Sequence, residues 1–370
     1  MRVTVTALAL LLHHDDATAD KASKAPAKGS KKGKGKSGKG TAAPTGDPTE
    51  GPTAAPTGAL GTAAPTGGLC TSANSFINTS LRKAVADYFS QGCPTEPNCE
   101  TILQYGVIGG WKTCEVTEMV SLFDVEINSQ AANFNESLNN WDVSKVTDMH
   151  YMFSGAAAYN QPMTDWDVSK VTSMYEMFYE AAAYNQPMND WDVSKVTDMF
   201  YMFGFAAAYN QPMNDWDVSK VTSMEGMFYY AADFNQPLND WDVSKVTDMN
   251  YMFDEAAAYN QPMNDWDVSK VTNMFYMFYK AAAFNQPLCD WGTKLQTTAD
   301  VYGMFGGSGC TNKDDPDLTL VPPGPFCADD CSAVFVWTCW VLGGNAGVLC
   351  GYLNFEWTPR VLWYLINGLY

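Results

Sequence analysis

The chain has 370 residues, 46 % hydrophobic and 14 % aromatic, which excludes a wholly disordered polymer. Its formal net charge is −19, with +6 over residues 1–40 and therefore −25 over the rest, so the body repels nucleic acid. Histidines occur only at 13, 14 and 150, too few for a histidine-based metal or proton-transfer site.

Met1-Arg2 leads an apolar run from Val3 to Leu12 and the small-residue stretch Ala17-Thr18-Ala19, the pattern of a secretory signal over residues 1–19, interrupted by His13-His14-Asp15-Asp16. Residues 20–68 read as a disordered linker. Lys, Gly, Ser and Ala fill it to Gly40, and Thr-Ala-Ala-Pro-Thr-Gly then begins at 41, 53 and 62. Over 69–110 a helical cap is expected, because Leu81, Val85, Tyr88 and Phe89 share one helical face, with Asn78, Thr79 or Ser80 to cap it.

The body is dominated by a repeat. Trp141, Trp166, Trp191, Trp216, Trp241, Trp266 and Trp291 recur every 25 residues within the unit W-D-V-S-K-V-T-[DSN]-M-x-x-M-F-x-x-A-A-x-[YF]-N-Q-P-[ML]-[NT]-D. Worn copies at Trp111–Phe123 and Val301–Phe305 bound the array at 111–305, as a stack with water at both ends requires. One unit is too short to enclose a core, so stacked copies must bury one another's Trp, Val, Met and Phe side chains. The predicted fold is an α/β repeat solenoid. Each coil has a short strand near Val171-Thr172 and a short helical turn capped by Asp148, Ser173, Asp198, Ser223, Asp248 or Asn273. A buried asparagine ladder is expected at Asn160, Asn185, Asn210, Asn235 and Asn260, begun by Asn135. Of the two glycosylation sequons, at Asn78 and Asn135, only Asn78 is then expected to carry glycan.

The string W-D-V-S-K-V-T-D-M-x-Y-M-F followed by F-N-Q-P-L resembles the repeat of BspA-type leucine-rich-repeat surface proteins, over Trp111 to Phe305. The resemblance implies a leucine-rich-repeat-like stack displayed outside the cell, with adhesion or partner binding as its role and no catalytic residues. Met and Trp stand where leucine-rich repeats use Leu.

Ten cysteines lie outside the interior coils. Cys70, Cys93, Cys99 and Cys114 at the front, and Cys289, Cys310, Cys327 and Cys331 at the back, are candidates for disulfides that reinforce the ends of a secreted protein, with the pairing open. Residues 306–331 read as a Cys-rich cap. The tail 332–370 contains an uncharged stretch, Ser332 to Phe355, long enough to cross a bilayer; a membrane anchor and a buried cap segment both fit it.

Asp flanks Trp166, Trp191, Trp216, Trp241 and Trp266 on both sides, so Asp165, Asp167, Asp190, Asp192, Asp215 and Asp217 would stack into carboxylate columns. Lys170 and its equivalents compensate them, or calcium bridges them, the one cofactor the pattern admits. Repetition makes every turn alike, whereas paired catalytic carboxylates need different environments, so no enzyme is expected. Variation is concentrated at Tyr175, Phe200, Glu225, Asn250 and Phe275, the candidate ligand face for an extracellular protein or glycan. The rival role is a structural wall spacer or a mineral- or polymer-associated protein with no specific ligand.

Overall fold

A computed structural model describes residues 70–321, 323–328, 331, 337–341 and 348–352. The signal, the linker and most of the apolar tail lie outside the described residues.

Helix α1, Asn78–Ser90, begins after Ile77, whose N–H donates to the Ser80 hydroxyl at 3.0 Å. It buries Leu81, Ala84, Val85, Tyr88 and Phe89. That face meets the start of the array: Tyr88 lies edge-on to Trp111 at 6.1 Å, and Phe89 edge-on to Phe134 at 5.8 Å. Helix α2, Glu100–Tyr105, is capped by the Cys99 sulfur, which accepts from the Ile102 N–H. Disulfides Cys70–Cys114 and Cys93–Cys99 tie this end together.

The repeats bury what their periodicity marks. Trp166, Val168, Val171, Met174, Met177, Phe178, Tyr184 and Met188 are all buried, as are their equivalents along the array. Like rings stack on like: Phe153 to Phe178 at 5.5 Å, Tyr159 to Tyr184 at 6.1 Å, and Trp166 to Trp191 at 6.2 Å. From Trp166 on, each indole N–H reaches a carbonyl of the preceding coil, as Trp166 does to Leu138 at 3.0 Å, and Trp111 and Trp141 donate to Gly106 and Ile108, so the column buries no unpaired donor.

The expected α/β solenoid of strand plus helical turn is not what the backbone forms. Among the described residues the repeats contain no strand and no α-helix before Trp291. A single parallel bridge joins neighbouring coils, Asp148 to Ser173, Ser173 to Asp198 and onward to Asp300, and no ladder extends from it. The reason lies in where successive amides point. Met149, Tyr151, Phe153 and Gly155 donate to the next coil at Ser173, Tyr175, Met177 and Tyr179, while Met152, Ser154 and Ala156 donate back three residues within their own coil. A strand would send amides to neighbours on both sides, and a helix would keep them all inside. This alternation satisfies the backbone without becoming either. Left-handed residues enforce it: Tyr151, Glu176, Tyr201, Tyr251 and Tyr276 have φ of 47–58°, which stops a helix at each Met-x-x-Met turn.

The residue expected to cap that helix caps a turn. The Asp148 and Asp198 carboxylates accept the N–H two residues on, from His150 and Phe200. Threonines supply the contact to the preceding coil, with both the N–H and the hydroxyl of Thr172 donating to the Thr147 carbonyl at 2.9 and 3.1 Å.

At the far end the longer final copy accommodates helix α3, Trp291–Lys294. Phe326 is fully buried and accepts the Leu288 N–H through its carbonyl, and the disulfides Cys289–Cys331 and Cys310–Cys327 tie this segment to the last coils. Within the uncharged tail, β1 (Trp337–Val341) pairs antiparallel with β2 (Val348–Tyr352), setting Cys339 opposite Cys350. Among the described residues no helix is long and apolar enough to cross a membrane.

Candidate ligand-binding face

Four positions per coil vary while the rest of the unit stays nearly constant, and the alternating backbone gathers them on one surface. The first column is His150, Tyr175, Phe200, Glu225, Asn250, Phe275 and Tyr302. The second is Ser121, Tyr151, Glu176, Tyr201, Gly226, Tyr251, Tyr276 and Gly303. The third is Asp124, Ser154, Tyr179, Gly204, Tyr229, Asp254, Tyr279 and Gly306, and the fourth runs from Glu180 through Phe205, Tyr230 and Glu255 to Lys280.

Ring contacts run unbroken along this surface. They pass from His150 to Tyr151, Tyr175, Phe200, Tyr201, Tyr229, Tyr251, Phe275 and Tyr302, with centroids 4.5–5.9 Å apart. The expected ligand residues Tyr175, Phe200, Glu225, Asn250 and Phe275 are half-buried rather than standing free in solvent, because rings of neighbouring columns cover part of each. Rings and glycines alternate. The Tyr179 ring covers Gly204, and Tyr201 covers Gly226.

Carboxylates are set among these rings. Glu176 is 8 % exposed, and burial, opposed by a hydrogen bond from Tyr175, pushes its carboxyl up to about 7. Burial and the neighbouring Asp248 charge likewise raise Glu225 to about 7. Asp254 is 5 % exposed, and burial with the adjacent Glu255 raises it to about 8. The Glu255 carboxylate accepts from Lys280 Nζ at 2.7 Å and from the Tyr230 hydroxyl at 3.3 Å.

Two overlapping matches to one family model, described as a Mycoplasma protein of unknown function, DUF285, cover residues 98–216 and 205–317, more than half of the chain. The chain belongs to the DUF285 family. This is a repeat family of the BspA-like kind, and it brings no leucine-rich-repeat assignment and no activity with it. No curated protein and no solved structure is significantly similar to the chain.

The other surfaces of the DUF285 repeat are uniform, and their polar groups are engaged with one another. Asp167, Asp192 and Asp217 each accept the N–H of the serine two residues on, and the hydroxyl and amide of that serine hold the carboxyl below its usual range. On the other side of the tryptophan, Asp165 and Asp215 accept from Asn139 and Asn189 of the preceding coil. Thr164 replaces that asparagine before Asp190. Asparagine and serine thus donate hydrogen bonds to both carboxylate columns. Among the described residues no group of three or more His, Cys, Asp or Glu could hold a metal ion.

The asparagine ladder has the expected connectivity but not the expected burial. The Asn160 carboxamide oxygen accepts the Asn185 N–H at 3.0 Å and Gln186 Nε2 at 2.8 Å, and the same pair of bonds recurs at Asn185, Asn210, Asn235 and Asn260. All five are half-buried, as are the glutamines that complete the rungs, and Asn135 is exposed. Burial thus gives no protection to the Asn135 sequon. The Asn78 carboxamide, by contrast, is engaged by Thr117 through both its oxygen and its nitrogen.

Sequence reasoning singled out the first variable column and missed the other three. The signal was present in the unit itself, whose second, third and fourth x positions vary as freely as the first. Only the left-handed turns show that all four emerge together.

Proposed function

We propose that the protein is a non-catalytic extracellular binding module whose four-column face holds a ligand presented outside the cell. One observation carries this. At the two left-handed positions of each coil, where glycine fits without strain, the chain places Tyr151, Glu176, Glu180, Tyr201, Phe205, Tyr230, Tyr251, Glu255, Tyr276 and Lys280. A bulky side chain in that conformation costs about 1 kcal/mol or more. Strain repeated ten times, on one face only, is consistent with selection for what those side chains touch. Four disulfides fit an oxidising extracellular setting.

A protein or a glycan is the ligand class this face serves. Retention of the chain on extracellular-matrix proteins and on a glycan array tests it, with Phe200→Ser/Tyr229→Ser on the variable face set against Asp165→Asn/Ser169→Ala on the uniform side. Loss confined to the first pair supports binding. Equal retention by both, or none by the parent chain, rejects it.

A spacer role has its own support in the fit of Tyr201 over Gly226, which shows that some of the variation serves packing between coils. A face-independent chain that only extends the surface would bind nothing in the same experiment.

A further inference from the structure

Several buried polar atoms of the array lack a hydrogen-bond partner, among them the hydroxyls of Tyr159, Tyr184, Tyr209 and Tyr259, but one of these atoms belongs to a carboxylate on the variable face. Asp254 interrupts the third column between Tyr229 and Tyr279. It is 5 % exposed, and its Oδ1 is buried with no hydrogen-bond partner. Asn250 Oδ1, on the same coil, is likewise buried and unpartnered. Both atoms are acceptors, so both call for a donor.

The surroundings narrow the donor's chemistry. The Asp254 main chain is tied to Tyr251 through its N–H at 3.2 Å and to Tyr230 through its carbonyl at 2.8 Å. Burial, and next the charge of Asp254 itself, raise the phenols of Tyr229 and Tyr251. Tyr229 and Tyr251 meet edge-on at 5.9 Å, and Tyr276 meets Tyr279 edge-on at 4.6 Å, so aromatic residues occupy the neighbouring positions of its own column and of the column beside it. The face already holds one ammonium in this manner: Lys280 Nζ sits 2.7 Å from Glu255 and 5.1 Å from the Tyr279 ring centroid. Lys280 is thereby paired with Glu255, and among the described residues no cation forms an ion pair with Asp254. A calcium ion needs six or more oxygen ligands and suits this aromatic setting poorly, whereas an organic cation is attracted by carboxylate and ring faces together.

We infer that Asp254, set between Tyr229, Tyr251 and Tyr279, is a subsite for the ammonium or guanidinium head of a Lys or Arg side chain carried by a protein partner. This rests on the binding role proposed above and specifies its ligand as a basic protein segment. The remaining carboxylates of the face, Asp124, Glu176, Glu180, Glu225 and Glu255, outnumber its lysine, Lys280, so neighbouring basic residues of the same segment are attracted as well. Because Asp254 is held largely protonated near neutrality by burial and Glu255, and is opposed only by Lys280, entry of a cation expels its proton. The phenols of Tyr229, Tyr230, Tyr251 and Tyr276, all raised first by burial, stay neutral over that range.

Calorimetric titration of the full oxidised chain with hexalysine and hexaarginine peptides tests the inference. Asp254→Asn is expected to weaken binding about tenfold or more, and Asp165→Asn, the same charge change on the uniform side, to change it less than about twofold. At pH 7, titration in two buffers of different ionisation enthalpy is expected to show proton release by the parent chain, a readout that needs no variant. Equal weakening by the two substitutions, absence of proton release, or no binding of either peptide would overturn it. Face-dependent retention on a glycan array without peptide binding likewise overturns the subsite while leaving the binding role standing.

Discussion

The ring of Tyr201 lies over Gly226 of the next coil so closely that a Cβ on that glycine would stand 2.4 Å from the ring carbons. Gly226 also holds φ of +57°, the left-handed conformation that its column keeps whether or not it is glycine. Gly226→Ala therefore meets both a clash and a strained backbone, and an equilibrium-unfolding loss of about 2–4 kcal/mol is expected. Tyr201→Ala in the same chain removes the clash and is expected to return part of that loss. A double variant no better than the single one would show that the ring does not set the cost.

Stability is expected to peak near pH 4–5 and to fall on either side. Unfolded carboxyls titrate near about 4, whereas Glu176 and Glu225 are raised to about 7 and Asp254 to about 8 in the fold. Between those limits the folded chain keeps protons that the unfolded chain has lost, so stability declines as pH rises through that window. Below it the sign reverses. Asp167, Asp192, Asp217, Asp242 and Asp267 are lowered by their serine hydroxyls and amides, and acid removes what those bonds contribute. These five are mostly exposed, so the acid limb is the shallower. Thermal unfolding from pH 3 to 9 checks the profile, and Asp254→Asn should flatten its upper limb. A midpoint that does not move between pH 5 and 8.5 contradicts the reading.

The hydroxyls of Tyr159, Tyr184, Tyr209 and Tyr259 are buried with no hydrogen-bond partner, and the same column uses Phe134, Phe234 and Phe284. Tyr184 stacks between Tyr159 and Tyr209 at 6.1 Å on each side, contacts that phenylalanine keeps. Tyr184→Phe is expected to be neutral or to stabilise by up to about 1 kcal/mol. A loss of that size in denaturant titration would mean that the hydroxyl has a partner.

The Asn185 carboxamide oxygen accepts from the Asn210 N–H at 3.0 Å and from Gln211 Nε2 at 2.9 Å. Asn185→Ala leaves both donors short and is expected to cost about 1–3 kcal/mol, whereas Asn185→Asp keeps an acceptor and should cost less. Hydrogen exchange at the Asn210 amide gives a local measurement, with faster exchange expected in the alanine variant alone.

Much of the burial pattern could be read without coordinates. Trp166, Met174, Met177 and Phe178 fall at fixed phases of the unit, and all are buried. The reason is that a side chain's hydrophobicity reports its burial residue by residue, and repetition multiplies the signal. The backbone was read wrongly at the same positions. Asp148 opens a turn and a single bridge instead of a helix, since Met149 and Tyr151 donate to Ser173 and Tyr175 of the next coil.

The sequence by itself determined the 25-residue period, the end copies, the cysteine groups and which side chains leave water, because each depends on composition at one position. The tertiary structure decided the alternating amides, the left-handed turns that bring four variable columns to one face, the disulfide pairing and the isolation of Asp254 Oδ1. Those depend on which residues meet across neighbouring coils, or across separations of 6 to 44 residues for the disulfides, and such partners become visible only when the chain is folded.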